Sequence, residues 1–284
     1  NNNLYDIKIS SSLNNGKYKK ITYLNDDSSN ESKKFLDFSL SFLYFLPEME
    51  RLFLTSPSFR RNFIDKLIFS ENKNYNKIIN KYKKNLLERN KVLQSVKPDE
   101  SWLNQLEKNI VDLGLEIYDL RNKKISVIND SLNSLDKKNQ YPFKVDFNLN
   151  DNFFDNNVNE KIYLSELRSL RGVDCKFGGS KIGPHKSDFK ALINNNFEAT
   201  QLSTGQQKTL VLMMLISQSK FLINEKKIRP ILLFDEICSH LDKLNRELLL
   251  DLIQEFDLQV FITGTEKSLF SFISTKSNFY NITE

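Results

Sequence analysis

RPILLFDE, residues 229–236, decides the fold. Residues 230–234 carry no charge, and then two carboxylates, Asp235 and Glu236, arrive together. A short run that is apolar at every position reads as a strand of a parallel sheet, where both faces are covered. The flanks repeat the theme: a helix expected over 203–223, the strand at 230–234, a helix over 243–255, and a second apolar strand at 258–263. Helices alternating with such strands predict the α/β class. Open sheets of this class bind ligands at the carboxyl ends of their strands. Asp235 is suited there to hold Mg²⁺ through water, because Mg²⁺ combines one or two carboxylates with phosphate oxygens. Glu236 is suited to polarise a water that attacks a phosphate. Taken alone, a strand ending in a solvated acidic turn explains both residues as well.

Upstream lies LSTGQQKTLVLMML, residues 202–215. Ser203 followed three residues later by Gln206 fits a capping box. The same hydroxyl, Gly205 and bare N–H groups also suit a phosphate. Both readings stand. Downstream come SHLD at 239–242, a helix, and QVFIT with the polar tip Gly264-Thr265-Glu266. In this order the four stretches resemble the C-terminal half of an ABC-type ATPase head: signature, Walker B, D-loop and switch.

TSPSFRRNFID at 55–65 and GPHKSDF at 183–189 narrow the likeness. With them the chain is similar to the RecF family of bacterial recombination-mediator ATPases over about residues 42–266. That resemblance implies a P-loop NTPase fold, an ABC-type head with a mainly helical second lobe. It makes Ser203, Thr204, Gly205 and Gln206 the signature, binding nucleotide held by a partner subunit. Asp235 becomes the Walker B aspartate and Mg²⁺ ligand, Glu236 the catalytic carboxylate, Ser239 and Asp242 the D-loop, and Thr263 and Thr265 the switch. Arg60, Arg61, His185 and Asp188 are family-motif residues, with His185 either structural or at an interface. The implied activity is ATP-driven homodimerisation and backbone binding of duplex DNA and single-strand gap junctions. RecO and RecR would be partners and RecA loading the outcome, within DNA repair and the SOS response. The sequence departs from the pattern at FLPEM, less polar than expected, and at His240, where an acidic residue is commoner. No histidine occupies the switch, so hydrolysis should be slow.

A phosphate-binding loop requires G-x-x-x-x-G-K-[ST] between strand and helix. Gly205-Gln206-Gln207-Lys208-Thr209 has Leu202 and Gln207 where glycines belong, and Gly264-Thr265-Glu266-Lys267-Ser268 has Phe261 and Glu266. Side chains there would keep backbone N–H groups from closing on phosphate. The sequence holds no Walker A. In the family that loop lies near the N-terminus, and this sequence enters strand-like residues without an initial Met. Truncation before the loop is therefore expected, with natural loss in a pseudo-ATPase as the competing account.

The remaining chain fills in the organisation. Residues 6–24 predict a hairpin turning at Asn14-Asn15-Gly16. Residues 35–49 predict a helix running into a buried strand that stops before Pro47. Residues 58–135 read as helical, broken at Lys97-Pro98-Asp99. Their 3–4 spacing of apolar residues suits either a stubby antiparallel coiled-coil arm at about 74–135 or two helices packed on a core. Along them Lys81, Lys83, Lys84, Arg89, Lys91, Arg121, Lys123 and Lys124 are candidate DNA contacts, or a solvated face. Strand-like residues follow at 142–149, a helix at 160–171, and strands with glycine turns at 175–199. The division is a lobe I remnant at 1–48, lobe II at 49–200, and the C-terminal ATPase half at 201–284.

Of 284 residues 39% are hydrophobic and 27% charged, which fits a globular chain. The net charge of +5 permits an anionic partner without demanding one. Two lone cysteines, Cys175 and Cys238, exclude a disulfide framework or zinc site and favour the cytoplasm. The longest apolar run, 210–216, is too short to span a bilayer, so no membrane partner is expected. Two other classes remain: another SMC-like or RecN-like head, which needs a much longer coiled coil, and a non-catalytic DNA-binding scaffold.

Overall fold

The structure, a computed structural model, describes residues 4–14, 16–136, 144–154, 158–237, 243–271, 273 and 277–282. Strands β1 (Ile7–Asn14) and β2 (Lys17–Leu24) form the expected antiparallel ribbon, pairing Ile7 with Leu24 and Asn14 with Lys17. Helix α1 (Asn30–Ser39) starts where the Ser29 hydroxyl accepts the Ser32 N–H at 3.1 Å. It leads into strand β3 (Phe42–Phe45), after which Pro47 opens a 3-10 segment, Pro47–Leu54.

Three helices follow: α2 (Pro57–Glu71), α3 (Tyr75–Leu93) and α4 (Glu100–Asp136). Ser56 caps α2 with Pro57 at its first position, so TSPS is a helix-start signal in its own right. Then come β4 (Val145–Asn150), α5 (Glu160–Ser169), α6 (Arg171–Phe177), β5 (Asp188–Ile193) and β6 (Phe197–Glu198). Residues 175–177, expected as strand, instead end α6, because Asp174 and its neighbours continue the helix past Leu170. β4, β5 and β6 make an antiparallel sheet packed on α2 and α4.

The chain returns through α7 (Thr204–Asn224), β7 (Ile231–Phe234), α8 (Lys243–Phe256) and β8 (Val260–Ile262). β3, β7 and β8 form a parallel sheet in that order, with Phe42 opposite Ile231 and Leu232 opposite Val260. This is the α/β architecture that RPILLFDE predicted. One face is dry: Leu43, Phe45, Leu232 and Phe234 are buried. The other face is not. Phe42, Leu233 and Phe261 are 44%, 37% and 52% exposed, although all-apolar strands predict two covered faces.

Helix α7 is the spine. Every residue from Gln207 to Ser219 is buried, as befits a helix apolar around its whole circumference. It packs on the 3-10 segment, β3, α4 and α8. Helices α3 and α4 pair as an antiparallel hairpin, with Asn85 bonded to Asn109 and Arg89 to Glu107. The hairpin also lies against the body, since α4 packs on α2, α5, α7 and β4. Both sequence alternatives thus meet in one element. Among the described residues no helix is long and apolar enough to cross a membrane.

Three of the eight candidate DNA contacts are core residues. Arg89, Arg121 and Lys124 are buried, paired with Glu107 and Asp174, with Asp65, and with Glu71. A buried cation already paired with carboxylates has no charge to offer a phosphate. Lys81, Lys83, Lys84, Lys91 and Lys123 are exposed.

Candidate functional site

The carboxyl end of the parallel sheet gathers the first group of predicted residues. The Asp235 N–H donates to the Phe45 carbonyl at 2.9 Å, extending the β3–β7 ladder by one bond. The Thr263 N–H donates to the Phe234 carbonyl at 2.9 Å, fixing the tip of β8 beside β7. The Thr263 hydroxyl then donates to Asp235 Oδ1 at 2.5 Å and accepts the Glu236 N–H at 3.2 Å. One threonine thereby orients both carboxylate residues. Glu236 sits at φ +55°, the left-handed region, which costs a side-chain-bearing residue about 1–2 kcal/mol. Strain of this kind persists where surrounding bonds over-determine the backbone. Thr265 lies exposed further along the same tip. Ser239 and Asp242 lie outside the described residues.

A lysine that the sequence offered only as part of a false phosphate loop joins this site. Lys208 is buried, and its Nζ donates to Glu50 Oε1 at 2.6 Å and to the Glu236 carbonyl at 3.3 Å. The ammonium also lies 5.6 Å from the Phe45 ring centroid. Glu50 belongs to the 3-10 segment, 158 residues away in sequence. No local pattern signals that pairing. Residues 205–209 are one continuous stretch of α7, and Lys267–Phe270 is a 3-10 helix, so neither resembling stretch forms a loop that could enclose phosphate.

The residues expected as the signature open α7. Ser203 Oγ accepts the Gln206 N–H at 3.3 Å, and Gln206 Oε1 accepts the Ser203 N–H at 2.9 Å, the reciprocal capping box. Thr204 is half-buried, while Ser203, Gly205 and Gln206 are exposed. A Cβ built on Gly205 would meet nothing within 4 Å. Alanine would favour the helix there by about 1 kcal/mol, so packing within this chain gives no reason for glycine.

The residues expected as family motifs lie together, with Arg60 and Asp188 forming a clamp. Arg60 grips Asp188 with two bonds, Nε to Oδ1 at 2.7 Å and NH2 to Oδ2 at 2.8 Å. Its NH1 donates to the Phe53 carbonyl at 3.0 Å and to the Thr55 carbonyl. Arg61 NH1 donates to the Ser187 carbonyl at 2.6 Å. SPSFRR and GPHKSD are thus two halves of one joint between α2 and β5. His185 is hydrogen-bonded through both ring nitrogens within the chain. Its Nε2 faces the Ser180 carbonyl at 3.0 Å, which can only accept, so Nε2 carries the proton and Nδ1 accepts from the Tyr82 hydroxyl at 2.8 Å. Burial is the main force holding its pKa down to about 4, and nearby Lys186 and Arg61 add to it. Gly183 stands at φ +122°, and a Cβ there would collide with the Tyr82 and Tyr163 hydroxyls.

The donor set at Asp235 fits Mg²⁺ delivered with a nucleotide. One carboxylate at a strand end is what Mg²⁺ takes from protein when phosphate and water complete its octahedron. Asp235 would hold it, with Thr263 fixing the carboxylate.

A family model described as "AAA domain, putative AbiEii toxin, Type IV TA system" matches residues 5–263. The DNA replication and repair protein RecF of Rickettsia typhi is 31% identical over 245 residues, 84% of this chain and 66% of that protein. RecF of Agrobacterium fabrum is 30% identical over 250 residues, 86% of this chain and 66% of the relative. The chain therefore spans about two thirds of the length of these curated relatives. Among solved structures, the recombination mediator protein RecF with ATP in the RecFOR pathway superposes with a TM-score of 0.73 at 26% identity. That match covers 88% of this chain and 69% of the other.

Proposed function

This chain belongs to the RecF family of DNA replication and repair proteins, and from that premise we propose that it supplies the signature and Walker B half of a composite ATPase. The observation that carries the proposal is the Asp235–Glu236–Thr263 cluster at the carboxyl end of a parallel sheet. Asp235 would hold the Mg²⁺ of a bound ATP, and that ion would neutralise charge on the β- and γ-phosphates. Glu236 accepts a proton from the attacking water. Ser203 and the exposed N–H groups of α7 meet the γ-phosphate held by a second subunit, where the helix N-terminus favours negative charge. Gly205 keeps that approach clear of side chains. By the family likeness, Ser239 and Asp242 would serve as the D-loop.

On this reading the nucleotide also needs a phosphate loop, which the sequence itself does not hold. The open face bearing Phe42, Leu233 and Phe261 is suited to a strand–loop–helix carrying G-x-x-x-x-G-K-[ST], which would dry the second face. On this reading the head is divided as lobe I, a helical lobe II at 49–200 and the C-terminal half, and ATP closes a homodimer on duplex DNA near single-strand gaps. RecO, RecR and RecA loading follow from the family, and backbone contact makes the affinity fall steeply with salt.

The test is Ser203→Arg in the full-length protein. ATP-driven dimerisation, read by sedimentation, should vanish while monomer ATP binding persists. Loss of monomer binding overturns the trans assignment. A full-length protein without a phosphate loop, binding no ATP, overturns the ATPase reading in favour of a DNA-binding scaffold.

A further inference from the structure

Glu236 has a backbone conformation that its own residue type disfavours, and side chains from two directions hold it there. From β8, the Thr263 hydroxyl takes its N–H. From α7, the Lys208 ammonium binds its carbonyl at 3.3 Å. Lys208 cannot swing away from this position at low cost. It is buried, bonded at 2.6 Å to Glu50, and lies over the ring of Phe45, the residue whose carbonyl receives the Asp235 N–H. The 3-10 segment that presents Glu50 is tied at its far end, where the Phe53 carbonyl accepts from Arg60. Lys208 thus anchors to a segment held at both ends. It stands a little over one helical turn from Ser203, the N-cap of the same helix, at the start of its buried stretch Gln207–Ser219.

We propose that Lys208 is a positioning residue for Glu236, so that the signature helix of each subunit supports that subunit's own hydrolytic carboxylate. The inference rests on the composite ATPase reading. Under that reading the α7 N-terminus touches ATP held by the partner, whereas Glu236 acts on ATP held by its own subunit. Lys208 joins the two through about five residues of helix. Its positive charge suits both attachments, because carboxylate and carbonyl oxygens each accept from an ammonium. Methionine at this position would fill much of the volume and make neither bond.

The experiment is steady-state ATP hydrolysis by the full-length protein carrying Lys208→Met, with dimerisation measured in parallel. The expected result is a kcat at least 10-fold below wild type, with KM and ATP-driven dimerisation within twofold. Lys208→Arg, which retains a cationic donor, should recover part of the rate. A kcat within twofold of wild type overturns the proposal. An equal loss of dimerisation and hydrolysis also overturns it, since that describes a general structural role.

If Glu50, left without Lys208, destabilises the single variant, Lys208→Met with Glu50→Leu removes both charges and is read the same way. Amide hydrogen exchange supplies an arm that needs no ATP. Residues 235–237 should exchange at least 10-fold faster in Lys208→Met, with the interior of α7 unchanged. Unchanged exchange there refutes the positioning role even if the ATPase reading fails. A wild-type protein that neither dimerises nor hydrolyses with ATP counts against that reading alone.

Discussion

Glu107→Gln tests whether the helical hairpin is held by its buried charges. The Glu107 carboxylate is fully buried and accepts three guanidinium bonds, from Arg89 Nε at 3.0 Å and from Arg171 Nε and NH2 at 2.9 and 2.6 Å. Glutamine presents an N–H₂ group to one of those donors and removes the charge. Breaking one partner of a buried ion pair costs about 3–5 kcal/mol. Two features moderate that figure. Arg89 keeps Asp174 at 2.7 Å and the Leu167 carbonyl at 2.7 Å, and Arg171, 23% exposed, keeps Glu100 and reaches water. The expected loss is therefore about 2–4 kcal/mol. Trp102, the single tryptophan, lies on α4 and reports on this region by fluorescence. At an m-value of about 3 kcal/mol/M, the urea midpoint should fall by about 1 M. Lys123→Gln, which breaks the exposed pair with Asp119, serves as control and should cost under about 0.5 kcal/mol. A Glu107→Gln midpoint within the control's range refutes the account.

Three further outcomes follow from named contacts. His185 has its folded pKa lowered to about 4 from an unfolded value near 6.5, so its contribution is present above pH ~6.5 and is lost as pH falls toward 4. The shift corresponds to about 3 kcal/mol, and His185→Gln should flatten the urea midpoint against pH across that window. Gly183→Ala should cost about 2–4 kcal/mol or prevent folding, because the new Cβ meets two tyrosine hydroxyls at a strained φ; a loss below about 0.5 kcal/mol would refute this. In the full-length protein, Thr263→Val should lower kcat by about 10- to 100-fold with ATP binding retained, since it removes the hydroxyl shared by Asp235 and Glu236. Unaltered hydrolysis would show that Thr263 does not hold the carboxylates in place.

The sequence reveals the elements whose signals are local. RPILLFDE, the Ser203–Gln206 box and the break at Pro98 each depend on a few neighbouring residues, and each appears where expected. Buried charges were legible too, though easily misread. Arg89 follows Tyr82 and Leu86 at the 4–3 spacing of the apolar stripe, and Arg121 and Lys124 continue the spacing from Ile117. A cation in phase with core positions signals a buried pair more than a solvated face. What stayed hidden depends on distant partners. Lys208 with Glu50 and Arg60 with Asp188 span 158 and 128 residues, beyond any periodicity. The motif residues around Arg60 and Asp188 could be seen as a set, yet only the fold reveals that they bind each other. Apolar strands also show that a sheet face should be dry without showing what covers it.

The pairing of β3 with β7 sets an order on synthesis. Phe42 lies opposite Ile231, a separation of 231 − 42 = 189 residues. At about 5–20 residues per second, β3 emerges roughly 10–40 s before its partner exists. The helices and antiparallel sheet between them, the α3–α4 hairpin included, can fold in that interval. During it the segment Phe42–Phe45 has no strand to join, and four consecutive large apolar residues stand ready for a wrong one. The parallel sheet is thus the last part of this chain to close and the first to be at risk when elongation stalls.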